Sequence, residues 1–176
     1  MMYIKIPSDR IGALIGPKGS VKQLIEERST ATLDIDSESG NVQIVSAEDP
    51  VRGMRAAEVI QAIGRGFSPE RAIQLFDDEL LIFELIRIQA TTPKELTRIR
   101  GRIIGSNGKT RELIESATQT SLSVYGKTVA IIGYPEHGHV AKTAVEMLID
   151  GSPHSTVYGF IEKKRRELAA KRIEYY

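Results

Sequence analysis

Cysteine is absent from the 176 residues, which excludes disulfides and thiolate metal sites. Long apolar runs are also absent. No stretch approaches the roughly 18 apolar residues of a membrane span, and the start, MMYIKIP, lacks the apolar run of a signal peptide. A cytoplasmic protein with no membrane contact is the expectation. No nucleophile–base pairing or carboxylate dyad stands at legible spacing, so enzyme activity is not expected and no cofactor is implied. His137 and His139 in PEHGHV look like half a metal site. With no cysteine and no carboxylate pair at matching spacing, they read as a solvated helix start, and no metal is expected. A charge excess is nearly missing as well, with 24 Lys+Arg against 23 Asp+Glu.

What is present is 41% hydrophobic and 27% charged, as in a globular protein with a real core. The length suits one domain or two small ones. The charge is unevenly divided. Residues 1–78 carry 9 Lys+Arg and 12 Asp+Glu, a balance of −3; residues 79–176 carry 15 and 11, a balance of +4. The second half is the better partner for a polyanion.

The chain repeats itself. IGALIGPKGSVKQLIEE, from Ile11, matches RGRIIGSNGKTRELIES, from Arg100, at a constant offset of 89. Ile15-Gly16 falls on Ile104-Gly105, Gly19 on Gly108, and Leu24-Ile25-Glu26 on Leu113-Ile114-Glu115. Downstream, TATLDID (30–36) and QTSLSVY (119–125) alternate as half-buried strands. NVQIVS (41–46) and KTVAIIG (127–133) read as their returning partners. Pro50 and Pro135 then open helical patterns. Each copy begins with a strand candidate, 3–7 or 80–90, followed by a short helix before the glycine loop. Thr92-Pro93-Lys94-Glu95 is a capping-box signal for the second of these helices. Each copy thus reads strand, helix, GxxG, helix, strand, strand, helix. The expected division is a first domain over 1–66, a helical linker over 67–78, a second domain over 79–151 and a basic C-terminal helix over 152–176.

The loop IIGSNGKT (103–110) poses a choice. Gly108-Lys109-Thr110 would close a nucleotide-hydrolysing Walker A loop, but its first glycine would fall on Ile103, and such a loop follows a strand rather than the helical pattern KELTRIRGRI. A GxxG between helices serves a different ligand. The glycines let a phosphate backbone approach, and the following helix start favours phosphate. Such a loop can clamp about four nucleotides of single-stranded RNA.

Both copies resemble the type I KH domain, with its I-G-x-x-G core standing as Ile15-Gly16-Pro17-Lys18-Gly19 and Ile104-Gly105-Ser106-Asn107-Gly108. The resemblance implies an α+β fold: two βααββα units, each a three-stranded antiparallel sheet with three helices on one face. The pair with its linker and terminal helix resembles the small-subunit ribosome assembly factors called Partner of Nob One or Dim-two. The intact first loop suggests an archaeal member. This resemblance implies binding near the 3′ end of small-subunit ribosomal RNA. It also implies contact with the endonuclease that matures that end and with the alpha subunit of translation initiation factor two. A general single-strand nucleic-acid module in transcription or decay is the alternative.

Gly16, Pro17, Lys18 and Gly19, with Gly105, Ser106, Asn107 and Gly108, are therefore the candidate RNA-binding loops. Lys18, Lys109 and Arg111 could reach phosphates as charge-assisted donors. Arg98 and Arg102 share a helix face that Arg100 does not, so at most two of the three address one ligand. Ile11, Leu14, Ile15, Ile103 and Ile104 either floor the grooves or pack the core. Lys163, Lys164, Arg165 and Arg166 either extend an RNA track or form a solvated face. Tyr175 and Tyr176 read as frayed ends.

Overall fold

A computed structural model of the chain describes residues 2–174, the side chains of 46, 47, 173 and 174 aside; Tyr175 and Tyr176 lie outside the described residues. The chain forms two compact units, Met1–Glu79 and Leu80–Tyr176. The first contains β1 (Met2–Lys5), α1 (Ile11–Ile15), α2 (Ser20–Ser29), β2 (Ala31–Ile35), β3 (Asn41–Ala47) and α3 (Pro50–Gly64). Two short helices follow, α4 (Pro69–Ala72) and α5 (Gln74–Asp77). The second contains β4 (Ile82–Arg87), α6 (Pro93–Ile104), α7 (Lys109–Thr118), β5 (Ser121–Tyr125), β6 (Thr128–Gly133), α8 (Pro135–Ile149) and α9 (His154–Glu174). Each sheet is antiparallel, in the order β1-β3-β2 and β4-β6-β5, so β2 and β5 are edge strands. The expected α+β repeat is the observed one.

Local chemistry explains the elements. On β2, Ala31 and Leu33 are buried while Thr32 and Asp34 face water, the period-2 alternation of a half-buried strand. β4 is shorter than the apolar run 80–90, because strand pairing ends at Arg87 opposite Thr128. Asp49 caps α3 by accepting the Val51 N–H at 3.0 Å, with Pro50 at the first helical position. Thr92 caps α6 through the Glu95 N–H at 3.1 Å. The reciprocal bond of the expected capping box is displaced by one residue. The Glu95 carboxylate accepts from the Thr91 N–H at 3.0 Å and its hydroxyl at 2.9 Å.

Each core lies between sheet and helices. In the first unit it includes Leu14, Ile25, Leu33, Val42, Ile60 and Ile63; in the second, Ile103, Ile114, Leu122, Val129, Val145 and Leu148. Burying each such side chain contributes about 1.5–3 kcal/mol.

The repeat runs further than the βααββα frame, at an offset that drops to 85 after the hairpin. Ile63 and Phe67 correspond to Leu148 and Ser152. The Phe67 N–H donates to the Ala62 carbonyl at 3.1 Å, and the Ser152 N–H to the Met147 carbonyl at 2.9 Å. The intervening glycines, Gly66 and Gly151, have φ of 100° and 97°, a conformation that suits glycine alone. Another helix follows this turn in both copies, and Ala72 and its counterpart Val157 are both fully buried. The segment 67–78 thus packs in the first unit, with Phe67, Ala72 and Leu75 buried. The Arg28 guanidinium pairs with Asp77 at 2.7 Å and stacks over the Phe76 ring.

One arginine per unit closes the turn. Arg10 donates to the carbonyls of Ile63 and Phe67, each at 2.8 Å. Arg102 donates to the matching carbonyls of Leu148, at 3.1 Å, and Ser152. The acceptors correspond, but the donors do not: at the offset of 89, Arg102 matches Ala13, and Arg10 matches Ile99. An arginine at the N-cap of α1 and one within α6 thus reach matching carbonyls on either side of the turn that follows α3 and α8.

Candidate nucleic-acid interface

The two glycine loops have nearly the same backbone. Gly16 and Gly105 lie at φ/ψ of 73°/175° and 75°/175°, Lys18 and Asn107 at 54°/30° and 55°/28°, and Gly19 and Gly108 at 75°/16° and 75°/11°. The glycines of each pair are needed for different reasons. A Cβ at Gly16 would lie 2.9 Å from the Cβ and backbone nitrogen of Val21. One at Gly105 would lie 2.8 Å from the same two atoms of Thr110. The first glycine is thus fixed by packing as well as by its positive φ. A Cβ at Gly19 would meet nothing within 4 Å, and one at Gly108 would meet only the distant guanidinium of Arg111, at 3.9 Å. The second glycine borders open space, where a ligand backbone can approach.

Each loop connects two helices, so it follows α1 or α6 and not a strand, and its second glycine is the N-cap of α2 or α7. The structural premise of a Walker A loop is therefore missing at Gly108-Lys109-Thr110. What the geometry offers is an exposed turn at the positive end of a helix dipole, although the N–H groups of Gly108 and Lys109 already donate to the carbonyls of Gly105 and Ser106, as those of Gly19 and Ser20 do to Gly16 and Pro17. Pro17, Lys18, Ser106, Asn107 and Lys109 are exposed, as a phosphate clamp requires. Half-buried Ile15 and Ile104 precede the loops. Leu24 and Leu113, 36% and 37% exposed, lie one turn into α2 and α7. Ile11, Leu14 and Ile103 belong to the core.

The cations sort themselves by partner. Lys109, Arg98 and Arg100 have no ion pair among the described residues. Arg111 is bound to Glu115 at 2.8 Å and only partly faces solvent. Arg102 departs from the sequence reading. Helical spacing puts it on the face of Arg98, but its guanidinium is engaged by the carbonyls that end α8, while Arg98 is exposed. The two do not address one ligand together. In the KKRR run on α9, Lys163, Arg165 and Arg166 are exposed and Lys164 is half-buried, and three of the four pair with acids of their own helix. Lys164 pairs with Glu167 at 3.1 Å, and Arg165 and Arg166 pair with Glu162 at 2.7 and 3.5 Å. Arg165 holds the Glu162 carboxyl below its usual range. His137 Nδ1 donates to the Thr118 carbonyl at 2.9 Å, and among the described residues no group of three or more His, Asp or Glu side chains is placed to hold a metal ion.

The two copies differ after their edge strands. The turn after β2 carries Asp36 and Glu38. Its Asp36 carboxyl is held low by the Ser39 hydroxyl and the N–H groups of Glu38 and Ser39. The turn after β5 carries Lys127 instead. Sequence reasoning missed Tyr158. Its hydroxyl lies 3.0 Å from the Thr110 hydroxyl, directly behind the second loop. The available signal was a threonine at a buried helix position where the first copy has Val21.

Comparison with known proteins agrees with this geometry. The KH domain family matches residues 1–64, and the eukaryotic type KH domain (KH-domain type I) matches residues 82–166. A KH domain-containing protein of Methanocaldococcus jannaschii is 43% identical over 98% of this chain and 78% of its own. The chain belongs to the tandem KH-domain family of PNO1 and Dim2p. The pre-rRNA-processing protein PNO1 of Candida glabrata is 36% identical over 73% of this chain and 49% of its own length, so the chain spans about half of that relative. In a solved a/eIF2alpha-aDim2p-rRNA complex from Pyrococcus horikoshii, one chain is 47% identical over 94% of both chains, with a TM-score of 0.87. No helix among the described residues is long and apolar enough to cross a membrane.

Proposed function

We propose that this protein binds single-stranded RNA near the 3′ end of small-subunit ribosomal RNA and acts in small-subunit assembly. The observation that carries this reading is the second loop: an exposed GxxG at the start of α7, with Lys109 exposed as the first residue of that helix and in no ion pair among the described residues. The loop fixes the sugar–phosphate backbone, and unstacked bases are read on the neighbouring groove. Lys163, Lys164, Arg165 and Arg166 add net positive charge that draws in the polyanion. The names of the similar proteins, a pre-rRNA-processing factor and a member of an rRNA complex, support the same reading. On the likeness to the complex, the alpha subunit of initiation factor two is a proposed partner; the 3′-end endonuclease is proposed as a partner from the family resemblance alone. The proposed role is binding in the cytoplasm, without catalysis.

The second loop is assigned the larger share of the affinity, because the first half of the chain carries a charge balance of −3 and the second +4. Ser106 and Asn107 are both replaced by Asp in one variant, Pro17 and Lys18 in another. The glycines stay, and aspartate tolerates the left-handed conformation better than most residues. A labelled oligonucleotide of the rRNA 3′ end, titrated at fixed salt, should lose at least about tenfold in affinity with the first variant, or about 1.4 kcal/mol, and less with the second. Equal losses, or a larger loss from the first loop, would overturn the assignment.

A further inference from the structure

Helix α9 reaches both flanks of the second loop. Upstream, His154 Nε2 donates to the Arg102 carbonyl oxygen at 2.9 Å. That carbonyl is among the last four of α6, which have no acceptor role inside the helix. Downstream, Tyr158 bonds the hydroxyl of Thr110, the second residue of α7 and only 4% exposed. Thr110 in turn packs beneath Gly105, leaving no room there for a Cβ. His154 and Tyr158 stand edge to face, with ring centroids 6.1 Å apart at 61°, so the two anchors are mechanically joined. The start of α9 is itself fixed. Val157 and Ile161 are in the core, and Arg102 holds the Leu148 and Ser152 carbonyls just ahead of it.

The first copy has none of these bonds to offer. Val21 stands where Thr110 does, and at the offset of 85 the places of His154 and Tyr158 are taken by Pro69 and Ile73. None of the three side chains can form a hydrogen bond. The first loop rests on apolar packing between Gly16 and Val21.

We propose that α9 splints the second loop, with Tyr158, Thr110 and His154 as positioning residues that keep Gly105–Gly108 in its RNA-binding shape. This rests on the reading that the second loop binds RNA. A loop already held in shape loses less conformational freedom when its ligand arrives, so affinity rises without a new contact to RNA. The splint also gives the two loops, alike in backbone, different stiffness.

The test uses the full chain as wild type, Tyr158→Phe, Thr110→Val and the double variant. RNA affinity is titrated with a single-stranded oligonucleotide of the rRNA 3′ end at fixed salt. Hydrogen exchange is followed at the amides of 105–110, with 16–21 as the internal reference. Each single variant is expected to weaken RNA binding by about three- to tenfold, the worth of one net hydrogen bond. The double variant should lose no more than either single one, because both remove the same bond. Exchange should speed at 105–110 and stay constant at 16–21. Unchanged loop exchange in Tyr158→Phe, or losses that multiply in the double variant, would overturn the splint. So would a lower melting temperature with affinity and loop exchange both intact, which would reduce the bond to ordinary support of the fold. If the wild-type chain fails to bind the oligonucleotide, the RNA reading falls, while the exchange comparison still decides whether α9 holds the loop.

Discussion

Replacing Arg10 with Met tests the arginine closure of the first unit. Methionine keeps an apolar stem in place of the arginine methylenes and removes only the guanidinium. Two hydrogen bonds of 2.8 Å are lost, to the carbonyls of Ile63 and Phe67. A bond to a charged group contributes about 1.5–3 kcal/mol. Because Arg10 is half-buried, water recovers part of the carbonyls' bonding, and the net loss should be about 2–3 kcal/mol. In a unit of this size that corresponds to a melting midpoint lower by about 10 °C or more. Native-state hydrogen exchange at the α3 amides of 59–63 separates this unit from the second. A rescue follows from the other copy, where the same two carbonyls are held from the position of Ala13. Arg10→Met combined with Ala13→Arg should recover at least half of the loss. Ala13→Arg alone should add nothing, since the acceptors are already taken. A loss below about 1 kcal/mol, or a double variant no better than Arg10→Met, would refute the closure.

Gly105→Ala and Gly108→Ala should separate folding from binding. The first forces a methyl against Thr110 and should lower the melting temperature sharply, while the second meets open space and costs about 1 kcal/mol for its positive φ; equal melting temperatures would contradict this division. The Glu95 carboxyl, held low first by the Thr91 N–H and then by its hydroxyl, stabilises α6 above its unfolded pKa, and that contribution is lost as pH falls through the depressed folded value. An NMR titration of the Glu95 carboxyl should show a midpoint below the ordinary glutamate range, and a midpoint within or above that range would show that the bonds to Thr91 do not hold in solution.

The sequence legible in advance was the part governed by local rules. The offset of 89, the paired glycines, the alternation in 30–36 and 119–125 and the prolines at 50 and 135 all depend on near neighbours, and the fold follows from them. Arg102 shows where such rules end. Helical spacing placed it beside Arg98, yet its partners, Leu148 and Ser152, lie 46 and 50 residues away. Only tertiary packing brings those carbonyls within reach. The segment 67–78 read as a helical linker, and helical pieces are there, but the burial of Phe67, Ala72 and Leu75 depends on tertiary packing that no local rule announces. Tyr158 escaped for a similar reason: a lone tyrosine 48 residues from Thr110 carries no spacing signal. On the KKRR run the sequence left two readings open, and the in-helix pairs with Glu162 and Glu167 explain how four clustered cations are tolerated on one surface.

The turn through Gly66 and Gly151 bears on where each unit can be cut. It closes both copies in the same way and leads in both to a helix in which a buried residue corresponds, Ala72 to Val157. The structural repeat is therefore longer than the βααββα frame, since each copy carries its own trailing helix. A fragment ending at Gly66 would strip Phe67, Ala72 and Leu75 from the core. The two loops share their backbone almost degree for degree, while the trailing helices differ. The first is two short pieces, α4 and α5; the second is one helix of 21 residues and holds the tyrosine that touches the loop.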